Sequence, residues 1–102
     1  MSLHGHHFIA GQSIAAEGAT FHAINPSTSQ PLEPAFGEAT SAQVDAALNA
    51  ADDAFDALRA AGPDARAKFL DLLADKVMGL GDALLERAFA ETALPMARLT
   101  GE

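Results

Sequence analysis

Apolar and polar residues alternate in two different rhythms along this chain, and the change falls near Thr40. Before it, short apolar runs such as Phe8-Ile9-Ala10 and Phe21-His22-Ala23-Ile24 are punctuated by Gly11, Gly18, Pro26, Pro31 and Pro34. That grammar predicts short strands separated by turns. Glu17-Gly18-Ala19 offers a turn between the two runs, so His7 to Ile24 is expected to fold back as an irregular hairpin, with one weak strand around Gln12 to Ala15. Asn25-Pro26-Ser27-Thr28 should then stop the second run, because the Asn side chain bonds nearby backbone amides while Pro26 fixes its own φ and keeps Asn25 out of the helical region.

After Thr40 the period becomes helical. Thr40-Ser41-Ala42-Gln43 has the form of a capping box, in which the Thr hydroxyl accepts an orphaned amide proton and the Gln side chain reaches back to the cap. Val44, Ala47, Leu48, Ala51, Phe55 and Leu58 then recur at spacings of three and four, with Asp45, Asn49, Asp52, Asp53 and Asp56 on the other side, predicting an amphipathic helix from about Ser41 to Ala60. Gly62-Pro63 should end it and begin a second helix, with Asp64 at the favourable positive end and Phe69, Leu72, Leu73, Val77 and Leu80 on one stripe. Gly79 and Gly81 predict a break, each costing roughly 1 kcal/mol relative to alanine inside a helix. Asp82 is expected to cap a third helix carrying Leu84, Leu85, Ala88 and Phe89, which Pro95 ends. Met96 to Glu102 is too short for the pattern to assign. The expected architecture is α+β and mostly α, a single unit over 1–102, with strands and turns over 1–39 and about three amphipathic helices over 40–102.

Composition makes that unit look thin. The chain has 102 residues, enough for one small domain, and although 49% are apolar, many of these are alanines, with six Phe, no Trp and no Tyr. Small side chains remove little area from water, so the core they build contributes little stability. A formal charge of −8 argues against nucleic acid and anionic membrane surfaces as partners. No apolar run is long enough for a signal peptide core or a membrane span, which places the expected location in the cytoplasm. Cysteine is absent, and with it thiolate nucleophiles, disulfides and sulfur-based metal sites.

Candidate chemistry is sparse. His4, His6 and His7 crowd the amino terminus and His22 lies on the next run, a set that could hold zinc or nickel, but solvated terminal histidines with no neighbouring carboxylate are the stronger reading. Asp45, Asp52, Asp53 and Asp56 fit a solvated helix face better than a cation site, because no loop supplies backbone ligands. Ser27, Thr28, Ser29 and Ser41 lack the context of a nucleophile and read as turn and cap residues. The glycines form neither GxGxxG nor GxxxxGK[ST]. No catalytic, cofactor-binding or metal-binding residue is therefore assigned to this chain.

Taken in order, His7-Phe8-Ile9-Ala10-Gly11-Gln12, Phe21-His22-Ala23-Ile24-Asn25-Pro26-Ser27-Thr28, Ala54-Phe55-Asp56-Ala57-Leu58, Pro63-Asp64-Ala65-Arg66-Ala67 and Glu91-Thr92-Ala93-Leu94-Pro95 resemble the amino-terminal portion of an aldehyde dehydrogenase. The resemblance covers His7 to Glu102, and around Phe8 and from Glu91 onward the wording is most similar to the branch that oxidises α-ketoglutarate semialdehyde. Ser29 and Ala93 stand where many relatives have Gly. The resemblance implies part of a larger cofactor-binding domain, whose full-length parent uses NAD or NADP while a cysteine thiolate attacks the aldehyde and water hydrolyses the resulting thioester. The family's catalytic cysteine, general-base glutamate and cofactor loop have no counterpart among these residues, so the chain is expected to bind no cofactor and to be inactive alone. Its partner would be the remainder of the parent enzyme. A second expectation stays open beside it: a free-standing helical module that self-associates or docks through its exposed helix faces.

Overall fold

The computed structural model describes residues 2–102. Four strands come first, β1 (His7–Ile9), β2 (Gln12–Ile14), β3 (Thr20–Asn25) and β4 (Gln30–Gly37), followed by helices α1 (Ser41–Met78), α2 (Gly81–Thr92) and α3 (Met96–Gly101). The α+β, mostly helical class is the one the sequence predicts, but the strands pair differently. Two separate antiparallel hairpins form, β1 with β2 and β3 with β4, so the Phe21–Ile24 run leaves the first hairpin and joins a partner of its own.

Local chemistry accounts for both hairpins. Ile9 pairs with Gln12, leaving Ala10 and Gly11 as a two-residue loop with φ of 52° and 76°. Positive φ at both central positions is the turn whose twist matches its strands. In the second hairpin the Asn25 side chain accepts from the Ser27 amide at 2.9 Å, as expected, and its carbonyl accepts from the Ser29 amide at 2.8 Å. In the sequence pattern Pro31 and Pro34 are punctuation, yet both lie inside β4. Pro34 lies where the ladder shifts register between Phe21 and Ala23, and Pro31, opposite Ile24, is tolerated because each strand of a two-stranded ribbon is an edge with positions that need no amide. Phe21 and Phe36 stack across the strands with centroids 6.0 Å apart.

Thr40 and Gln43 form the capping box in full, Gln43 N–H donating to Thr40 Oγ1 at 3.2 Å and Thr40 N–H to Gln43 Oε1 at 3.1 Å. Gln43 Nε2 also donates to the Ala15 carbonyl at 3.0 Å, tying the helix start to the end of the first hairpin. The long helix is two arms meeting at Gly62, whose φ of 84° and ψ of 171° lie in a region open in practice only to glycine, with Pro63 opening the second arm. The second arm stops at Met78, and Gly81 takes φ 56° as α2 begins. Asp82 occupies the first turn of α2 without capping it, since Leu80 holds the cap position and makes no side-chain bond there. Beyond Pro95 the unassigned tail forms α3, with Arg98 and Glu102 paired at 3.0 Å.

The elements hardly enclose anything. Among the described residues no apolar side chain is buried, and the one buried residue is Gln43, 8% exposed. The accessible surface is 7663 Å², against about 5,400 Å² for a compact chain of this mass. The radius of gyration is 17.0 Å, against about 13 Å for a globule of this length. Helix α2 packs against β3 and α3, while α1 meets little beyond β1.

Candidate functional site

The structure scatters the titratable residues singled out from the sequence. His4 and His6 lie with ring centroids 4.8 Å apart, and His6 Nδ1 is 3.0 Å from Ser13 Oγ. His7 is on β1, whereas His22 is on β3 in the other hairpin, where its Nε2 lies 3.4 Å from Glu33 Oε1. Asp45, Asp52, Asp53 and Asp56 are all exposed along α1. Among the described residues no three of His, Asp or Glu converge as a metal-holding group. Ser27, Thr28 and Ser29 occupy the β3–β4 turn, Thr28 Oγ1 accepting from the Gln30 amide at 3.3 Å, and Ser41 is the exposed first residue of α1.

Two open grooves mark the surface. One, of about 600 Å³, runs between β1 and the start of α1, its apolar wall made by Phe8, Ile9, Val44, Ala47 and Leu48. The other, of about 490 Å³, lies where α1, α2 and α3 meet, lined by Val77, Met78, Leu84, Leu85 and Leu99. At the α1 start beside the first groove the Gln43 amide donates to Thr40 Oγ1.

The dominant feature is apolar surface. On the first arm of α1, Leu48, Phe55 and Leu58 are 63%, 59% and 57% exposed, and on the second arm Phe69, Leu73 and Val77 are likewise open. These are the stripes the sequence predicts, facing water instead of a core. One polar residue escaped the sequence reading. Arg87 of α2 donates through Nε to Glu91 Oε1 at 2.7 Å and through Nη1 to the Glu33 backbone carbonyl, fastening α2 to β4. Its Nη2 is shielded from solvent without an acceptor, as is His7 Nε2. Spacing could reveal the Arg87–Glu91 pair, but the bond to Glu33 joins residues 54 apart and leaves no local signal.

With the fold and its uncovered faces in view, comparison with known proteins defines the class. The profile of the aldehyde dehydrogenase family matches residues 13–102, and the chain belongs to that family. It corresponds to the family's amino-terminal region. It is 48% identical, over its whole length, to alpha-ketoglutaric semialdehyde dehydrogenase 2 of Azospirillum brasilense, covering 20% of that protein. It is 42% identical over 96% of its length to alpha-ketoglutaric semialdehyde dehydrogenase of Acinetobacter baylyi, covering 19% of it. It is also 34% identical over 87% of its length to N-succinylglutamate 5-semialdehyde dehydrogenase of Pseudomonas fluorescens, covering 18% of it. The chain thus spans about a fifth of the length of the curated relatives it matches. No solved structure matches it significantly.

Proposed function

We propose that this chain is a structural part of a cytoplasmic enzyme that oxidises α-ketoglutarate semialdehyde to the dicarboxylic acid with NAD or NADP, and that it supplies scaffold and none of the reacting groups. The observation that carries the reading is the 48% identity, across the whole chain, to an α-ketoglutaric semialdehyde dehydrogenase five times as long. The chemistry of the chain agrees. It has no cysteine to attack an aldehyde, and its two grooves are lined largely by apolar side chains. Its folded surface is dominated by side chains that need burial, as scaffold residues do.

The test is spectrophotometric. The purified chain, given α-ketoglutarate semialdehyde and either dinucleotide, should produce no reduced dinucleotide. A chimera in which it replaces the matching fifth of the Azospirillum relative should turn the substrate over. Turnover by the isolated chain overturns the scaffold role, and a folded chimera that ignores this semialdehyde overturns the substrate.

A further inference from the structure

The histidines that precede β1 are not a loose tail. Gly5 lies so close to β4 that a Cβ there would run into the Ala35 carbonyl oxygen and come within 2.9 Å of the Phe36 Cα. Backbone cannot swing aside as the end of a side chain can, so only glycine fits, and the residues flanking it are set in place against the second hairpin. The rings are held as well. His4 packs beside Phe8 with centroids 5.4 Å apart and accepts the His6 amide proton at Nδ1 over 3.3 Å, while His6 Nδ1 lies 3.0 Å from Ser13 Oγ. Both histidines are exposed, and their ring centroids are 4.8 Å apart. Two imidazoles bound to one metal ion through nitrogens at about 2.0–2.1 Å have ring centres about 4.5–5.2 Å apart, so the pair already has the spacing of shared ligands.

We propose that His4 and His6 form a surface site for one divalent transition ion of the zinc, nickel and copper group, with water at the remaining positions. The site goes beyond the scaffold reading and needs neither its substrate nor its cofactor. Imidazole nitrogen selects these ions over magnesium or calcium, which take oxygen ligands. With the Ser13 hydroxyl accepting from His6 Nδ1, Nε2 of that ring keeps its lone pair for the ion, the orientation that an outer hydrogen bond gives a ligating histidine. His4 carries its lone pair at Nδ1, engaged only by a long amide bond that a cation replaces. His7 is not a third ligand. It points to the other side of β1, and its Nε2 is shielded from solvent, while His22 belongs to the second hairpin. No lysine or arginine precedes Arg59, and a formal charge of −8 favours the approach of a cation.

The probe is zinc chloride, titrated into the untagged 102-residue chain and followed by calorimetry and by long-range proton–nitrogen NMR of the imidazoles. Saturable one-to-one binding is expected, moving the ring nitrogens of His4 and His6 and leaving those of His7 and His22 in place. His4→Ala and His6→Ala should each weaken it at least about tenfold, and His7→Ala and His22→Ala less than about twofold. Gly5→Ala keeps both rings but lifts their segment off β4, and it should weaken binding at least about threefold, because the ion must then order the segment itself. Four results overturn the proposal. They are the absence of saturable binding, a loss confined to His4→Ala, equal losses from all four histidine variants, and an unchanged affinity in Gly5→Ala, which would make the pair a flexible tail after all.

Discussion

Ala93 ends α2 with φ 55° and ψ 19°, and Ser29 closes the β3–β4 turn with φ 59°. Both are left-handed, a conformation that brings Cβ against the following carbonyl and costs a side-chain-bearing residue roughly 1–2 kcal/mol. These are the two positions where the resemblance places Gly in relatives, so the departures carry a backbone cost that glycine would remove. Part of that gain is offset because glycine has more freedom to lose on folding. Ala93→Gly should therefore stabilise the helix end by about 0.5–1 kcal/mol. The measurement is hydrogen exchange at the position 93 amide, which donates to the Phe89 carbonyl at 2.8 Å. Exchange there should slow by roughly two- to fivefold, and unchanged or faster exchange would contradict the strain.

Among the elements, α2 is held to β4 by Arg87, and the sequence distance between them means nothing else in the local chain sets their angle. Removing the guanidinium leaves the Glu33 carbonyl and the Glu91 carboxylate without their donor. Glu91 is exposed enough for water to replace most of its share, so Arg87→Ala should loosen the α2–β4 contact by about 1–2 kcal/mol. Loss of nuclear Overhauser contacts between α2 and β3 would register it, while an intact contact would show that apolar packing alone suffices. The helical elements were legible because their signals are local. Thr40 and Gln43 cap, Gly62-Pro63 breaks, Gly79 and Gly81 separate, and Pro95 stops, each acting within one turn of chain. Strand β4 is hidden in the sequence because Pro31 and Pro34 read as breaks, whereas Pro31 sits opposite Ile24 in a ribbon of two edge strands and Pro34 falls at the register shift against β3. The Ala10-Gly11 turn was missed for a related reason, since alanine rarely takes the positive φ that the loop requires.

At the scale of the whole molecule, apolar residues lie on the predicted faces, but the pattern could not say that nothing within the chain would cover them. A helix stripe at spacings of three and four signals burial without naming the burying surface. With no buried apolar side chain among the described residues, the isolated chain lacks the tight packing that makes unfolding all-or-none. Calorimetry should show a broad, low heat-absorption profile, and an anilinonaphthalene dye should fluoresce on mixing. A single sharp transition with little dye uptake would contradict that expectation.

The elbow of α1 carries a consequence of its own. Nothing beyond the adjoining chain lies within 4 Å of where a Cβ on Gly62 would sit, so it is the backbone angles of this achiral residue, and not crowding at that point, that call for glycine in the crook between the arms. Alanine would have space there and still be refused by its own backbone, swinging the second arm toward a straighter path. Phe69 and Leu73 would then change their bearing relative to Leu48 and Phe55, so the two arms would present their oily faces at a new angle to each other.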